Sequence, residues 1–190
     1  MEHQAVKKGL VIVSITYIVL SLIELFNTLV LLNTEITVYG RKILFQDLVF
    51  SSGLLPFMGT LLFIFLISIV CFFLIFGVIM LLINRKETID HKLFSKYVLV
   101  FGVLTLLFSY IKLGYYTFLN RTMIMYGGKT PTFQFVIYHS NLLLVQFIWI
   151  FYLSVICYYL MVGLILGGSG LRYLLQLERS NKQENNKNIK

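Results

Sequence analysis

Four long apolar runs dominate this chain, over residues 9–32, 54–83, 93–119 and 136–167. Each reaches the roughly 20 residues that a helix needs to cross about 30 Å of hydrocarbon. A backbone in lipid has no water to bond with, so runs of this kind cross as helices that satisfy their own N–H and C=O groups. Composition agrees: of 190 residues, 58% are hydrophobic and 13% charged, with a mean hydropathy of +0.86, whereas soluble domains carry about 25% charged residues. The expected fold is therefore an all-α integral membrane protein, a four-transmembrane-helix bundle. Residues 1–170 make up the membrane domain and 171–190 a cytoplasmic segment. Run one follows Lys7 and Lys8, but it is too long for a signal-peptide core. It also lacks an Ala-x-Ala exit, Ala5 being the only alanine, so cleavage is not expected.

Orientation follows from the cations. With both termini inside, the cytoplasmic side holds Lys7, Lys8, Arg85, Lys86, Lys92, Lys96, Arg172, Arg179, Lys182, Lys187 and Lys190, against Arg41, Lys42, Arg121 and Lys129 outside. This bias predicts an N-in/C-in arrangement. It also accounts for the formal charge of +8: basic flanks hold topology and face anionic lipid, so the bilayer is the expected partner and nucleic acid is not. A protein partner or a homo-oligomer stays open.

No cofactor is expected. Cys71 and Cys157 lie inside runs two and four, and neither belongs to the C-x-x-C pair that thiol oxidoreductases need. His3, His91 and His139 are scattered over the tail, a loop and the start of run four, with no second ligand at helical spacing, so no metal site is predicted.

Run four ends in Gly167-Gly168-Ser169-Gly170, which resembles the G-x-S-G string of the rhomboid intramembrane proteases. About thirty residues at 1.5 Å each separate Ser169 from Val136, placing it at or beyond the cytoplasmic surface. The embedded histidine, His139, lies near the other face. No nucleophile, base and electrophile meet at one depth, so an enzyme is not expected. The glycines instead predict a helix break, a hinge between span four and a short amphipathic helix over LRYLLQLERS on the inner leaflet. The final NKQENNKNIK has the composition of a disordered tail.

The outer loops carry turn signals. Ile36, Thr37, Val38 and Tyr39 precede Gly40-Arg41, and Ile43, Leu44 and Phe45 follow, which reads as a hairpin. Met123 to Tyr126, Gly127-Gly128 and Thr132 to Phe135 repeat the pattern. Two alternatives stay open: the loops pair into a small extracytoplasmic β cap, or they are irregular and close-packed. The inner loop, Asn84 to His91, is short, mixed in charge and expected to be solvated.

Two charges lie deep inside the apolar runs, away from their ends. Glu24 precedes the outer end of span one by eight residues and Lys112 precedes that of span three by seven, so both sit about 10–12 Å below the outer surface. Burying either alone costs at least about 2.5–3.5 kcal/mol, and a partner of opposite charge at the same depth removes most of that. Asn27, His139, Asn141 and Gln146, with Tyr110, Tyr115 and Tyr116, lie at similar depth. The set forms a candidate polar cluster with two readings: an ion pair that fixes helix register, or a site for a ligand, proton or ion.

A glutamate in the first of four spans resembles the small multidrug exporters, in which paired carboxylates exchange protons for cations. Lys112 at equal depth would neutralise Glu24, and the loops and helices here are longer. The string ETIDHKLFSKYVLVFGVL, a polar connector leading through Phe94-Ser95 into an apolar run, resembles a family of uncharacterised bacterial four-span proteins often encoded beside Cro-like helix-turn-helix regulators. That resemblance, over the second half of the chain, implies a bacterial plasma-membrane protein in a regulatory or stress-response pair and carries no site residues. The expected function is a non-enzymatic regulatory, sensing or immunity-type component. The alternative is a small transporter, or a transporter subunit, using Glu24.

Overall fold

The computed structural model describes residues 2–51, 53–85 and 91–188, with side chains over 7–51, 53–85 and 93–180. Residues 86–90 of the inner loop and the side chains of the last ten residues lie outside this range. The elements run α1 (Glu2–Leu32), β1 (Glu35–Val38), β2 (Arg41–Leu44), α2 (Phe45–Phe50), α3 (Phe57–Arg85), α4 (His91–Arg121), α5 (Phe133–His139) and α6 (Leu143–Asn188). Helices α1, α3, α4 and α6 are each long and apolar enough to cross a membrane, over Lys7–Leu32, Phe57–Arg85, Leu93–Arg121 and Leu143–Ser180. Their outward faces expose large apolar side chains such as Phe26, Ile75, Leu107 and Phe147, an exterior suited to hydrocarbon and compatible with a multi-pass membrane protein.

Buried positions on the four helices recur in steps of three and four. The seam of α1 is Leu10, Ser14, Tyr17, Ser21, Glu24, Thr28 and Leu31; that of α4 includes Val98, Thr105, Ser109, Lys112, Tyr116 and Leu119. On α3 the steps run through Phe63, Leu66, Val70, Phe73 and Met80, and on α6 through Val145, Trp149, Tyr152, Ile156, Tyr159 and Leu166. A 3.5-residue period keeps one seam facing its neighbours along a left-handed bundle. Helix α1 packs along α3, α3 against α4, and α4 along α6, while α1 touches α6 more lightly.

The α4–α6 contact explains the glycine string. A Cβ on Gly102 would fall 2.1 Å from the Gly167 nitrogen, and one on Gly170 would fall 2.5 Å from the Leu99 nitrogen. Gly163, one turn before Gly167, would place a Cβ 3.0 Å from the Leu106 nitrogen. These glycines let two backbones touch, as small-xxx-small stripes do in membranes. The expected hinge is therefore absent: α6 runs unbroken through Gly167–Gly170. It also carries on as helix to Asn188, where disorder was expected. Past Gly170 the sequence has no glycine or proline and is rich in Leu, Arg, Gln, Glu and Lys, all good helix formers.

At the opposite end the loops build a cap. Strands β1 and β2 pair antiparallel, with Val38 opposite Arg41. The two-residue turn between them has positive φ at both Tyr39 (50°) and Gly40 (79°), the geometry that matches strand twist. Loop three does not add strands. It closes through isolated bridges, Met123 to Thr132 and Tyr126 to Lys129. It meets loop one through side chains: the Tyr126 ring stacks 6.5 Å from that of Tyr39, and Lys129 Nζ sits 4.5 Å over Tyr39. Thr132, expected to start a strand running to Phe135, instead caps α5, its hydroxyl accepting from the Phe135 N–H at 3.2 Å. Residues 136–142, expected in span four, are thus α5 and a short link at Ser140, whose extended backbone turns the chain before α6 begins at Leu143. Phe45, Phe133, Ile137 and Trp149 fill the cap core.

Candidate functional site

Lys112 Nζ on α4 donates to Glu24 Oε1 on α1 at 2.5 Å, and neither side chain has any solvent exposure. The pair lies on the seam positions of two helices that are not neighbours, so it crosses the centre of the bundle. The other two helices enclose it with aromatic rings. Lys112 Nζ lies 5.9 Å from the Phe73 ring of α3 and 5.5 Å from the Tyr159 ring of α6. Those rings stack at 4.1 Å, and Tyr17 meets both edge-on. The quadrupoles of the rings add attraction for the ammonium beyond that of the carboxylate.

Hydroxyls extend this centre along the seam. Tyr17 donates to Thr105 Oγ1 at 3.2 Å, and Ser21 and Tyr159 share a hydrogen bond of 3.2 Å. Thr28 donates to the Glu24 carbonyl at 2.8 Å and accepts from the Tyr152 hydroxyl, which also lies 3.2 Å from that carbonyl. Hence α1 is joined to α4 and α6 by one column of polar contacts in an apolar surround, where each such bond lacks competition from water. Within this column Glu24 Oε2 is buried with no hydrogen-bond partner among the described residues. A second orphan, Asn84 Oδ1, lies at the far end of α3, where the same amide donates through Nδ2 to the Lys7 carbonyl at 2.8 Å.

Of the six predicted cluster residues, the structure brings together Glu24 and Lys112. Asn27 stands on the flank of α1 and lines a groove shared with α6. His139 belongs to the cap, with Nδ1 donating to the Phe135 carbonyl at 3.0 Å and its ring stacked on Phe135. Asn141 is exposed in the link between α5 and α6. Gln146 donates to the carbonyls of Tyr138 and Ser140 at 3.0 and 3.2 Å, fastening α5 to the first turns of α6. For His139, Asn141 and Gln146 the misplacement has one cause: depth was counted from Val136, whereas the fourth long helix starts seven residues later; Asn27 instead lies off the buried seam of α1. Tyr116 donates to the Trp149 carbonyl at 3.2 Å in the cap floor, and Tyr110 faces outward.

The residues missed were Ser14, Tyr17, Ser21, Thr28, Thr105, Ser109, Tyr152 and Tyr159. Their signal is the position of small and aromatic hydroxyls at three- and four-residue steps in line with Glu24 or Lys112, which reverses the usual rule that a helix buries its apolar face. The Ser169 hydroxyl donates to the Leu166 carbonyl of its own helix at 2.9 Å, about 40 Å along α6 from the cap. Among the described residues, no three His, Cys, Asp or Glu side chains converge as metal ligands. The chain matches no family model, no curated protein and no solved structure.

Proposed function

We propose that the protein is a non-enzymatic regulatory or sensing component of a bacterial plasma membrane, N-in/C-in, in which α6 couples the outer cap to the cytoplasmic segment. One observation carries this reading: α6 is a single helix of 46 residues, about 69 Å long at 1.5 Å per residue, more than twice the hydrocarbon thickness. Its first turns are fixed in the cap, where Trp149 Nε1 donates to Asn120 Oδ1 at 2.7 Å and Gln146 holds α5. Its last third lies beyond the glycine contact with α4. A displacement of the cap therefore moves the segment after Gly170 as a rod. An immunity-type protein would use the same cap as its recognition surface. The cations near Arg85 and Arg172 support the inward placement of that end. The bacterial source rests on the likeness of the inner-loop string.

The test uses helix phase. Inserting one residue after Leu171 rotates the tail by about 100° relative to the cap, whereas seven residues, about two turns, restore the phase. Expression of the wild-type chain in a bacterial host is expected to alter the transcript profile, the one-residue insertion to abolish that response, and the seven-residue insertion to restore it. A response indifferent to both insertions contradicts the coupling.

The transporter reading draws on the orphaned Glu24 Oε2. It needs the bundle to open, since the carboxylate is enclosed and engaged by Lys112. Proteoliposomes that leak protons or a cationic dye with the wild-type chain, but not with Glu24→Gln, would establish it in place of the first reading.

A further inference from the structure

All four long helices carry a cation at one depth, near the end of the bundle opposite the cap. Gly167 meets Gly102 and Gly170 meets Leu99, so α6 and α4 run antiparallel in a register that brings Lys96 level with Tyr173. Tyr17 bonds to Thr105 and Lys112 to Glu24 across the same sequence separation of 88, so α1 and α4 run in step and Lys8 is level with Lys96. Asn84 reaches the Lys7 carbonyl, which sets Arg85 of α3 at that level too. Lys8, Arg85, Lys96 and Arg172 are all exposed. The first acid after Arg172 on α6 is Glu178, about 9 Å further along the helix and turned about 120° away from it.

At this depth Arg172 borders a groove of about 400 Å³ along α6, lined also by Leu164, Ile165, Gly168, Tyr173 and Gln176. Gly168 makes the notch: a Cβ there would meet nothing within 4 Å, so the helix surface falls away between Ile165 and Arg172. The two ends of the groove differ in chemistry. Toward the bundle, Leu164 and Ile165 are exposed and offer apolar surface. Toward the tail, the Arg172 guanidinium, the Tyr173 hydroxyl and the Gln176 carboxamide have no hydrogen-bond or ion-pair partner among the described residues. All three can donate, whereas Ser169, on the same wall, already gives its proton to the Leu166 carbonyl.

We infer that this groove holds one phospholipid of net negative charge, its phosphate on Arg172, Tyr173 and Gln176 and an acyl chain laid over Gly168 against Leu164 and Ile165. A planar guanidinium pairs with a phosphate through two parallel N–H groups, and basic pockets on membrane helices bind anionic headgroups. The cations of the other three helices at the same depth select a headgroup of net negative charge over one that carries its own choline cation. The order of the groove along α6, apolar and then donating, is the order of a lipid, chain and then headgroup. A soluble phosphate would match only the donating end. The inference rests on insertion of the four helices in a bilayer and is independent of their orientation and of the regulatory reading.

Native mass spectrometry of the full-length chain, released from detergent micelles, counts the lipids that stay bound. The wild type is expected to retain one dioleoyl phosphatidylglycerol in preference to dioleoyl phosphatidylcholine. Arg172→Gln is expected to weaken that binding roughly tenfold, the scale of one lost hydrogen bond to a charged group. Lys96→Gln removes the same charge at the same depth outside the groove and is expected to change it little. Gly168→Leu fills the notch with every charge kept, and is expected to weaken binding as much as Arg172→Gln while its helix content and thermal unfolding match wild type. Equal losses for Arg172→Gln and Lys96→Gln would mean general attraction to charge and overturn the proposal. So would the lack of a preference for phosphatidylglycerol, or undiminished binding in Gly168→Leu. Displacement of the lipid by inorganic phosphate would overturn it in favour of a soluble anion. Recovery of the chain in solution without detergent would overturn the membrane placement, and the proposal with it.

Discussion

Glu24 and Lys112 are each enclosed by apolar and aromatic side chains, so the energetics of the site are those of an ion pair without water. Breaking such a pair from one side leaves a charge with no counter-ion and commonly costs about 3–5 kcal/mol, whereas replacing both partners together is often close to neutral. Glu24→Gln and Lys112→Met should each lower the yield and thermal stability of folded protein, and the double variant should recover most of the loss. The coupling term of the double-mutant cycle is the measurement. Additive losses would mean that the side chains do not interact. Recovery of stability without recovery of the host response would make the pair part of the working site. The pair was legible in the sequence because two opposite charges in apolar runs stood at equal distance from their span ends. The hydroxyls around it were not, because serine, threonine and tyrosine are common in membrane helices and only their shared phase with Glu24 marks them as buried.

At the level of elements, the glycines of α6 were misread because a glycine string has two physical uses, ending a helix and letting two helices touch, and a single chain does not say which. The structure separates the roles residue by residue. A Cβ on Gly168 meets nothing within 4 Å, whereas one on Gly102 would strike the α6 backbone. Gly168→Ala should therefore be neutral or stabilise the helix by up to about 1 kcal/mol, the propensity difference between the two residues. Gly102→Ala should force α4 and α6 apart and cost several times that, in the range of about 1–3 kcal/mol or more seen for overpacking. Thermal unfolding in detergent micelles compares the two, and equal stabilities would refute the close crossing. Ser169→Ala should leave both stability and the host response unchanged, since its hydroxyl serves only its own helix. The split of run four into α5 and α6 escaped the sequence for a related reason. Phe133 to Ile137 is nearly as apolar as a span, and only the polar His139-Ser140-Asn141 step, between Tyr138 and Leu142, marks the turn.

For the whole molecule, the four spans and their order were legible from run length alone, since hydrocarbon thickness sets a length that few soluble helices reach with so few charges. The small cap was legible only in part. The Tyr39-Gly40 turn has a local signal, whereas the packing of loop three against it depends on ring contacts between distant residues. The account as a whole requires the cap on one side of a bilayer and the segment after Gly170 on the other. Single cysteines at Lys42, Thr130 and Ser180, all exposed, place them without straining the positive-φ glycines of the turns. In intact cells, with Cys71 and Cys157 replaced by serine, a membrane-impermeant maleimide should label Lys42→Cys and Thr130→Cys at once and reach Ser180→Cys only after permeabilisation. Labelling of Ser180→Cys in intact cells, or protection of either cap position, would contradict the arrangement from which the coupling through α6 is argued.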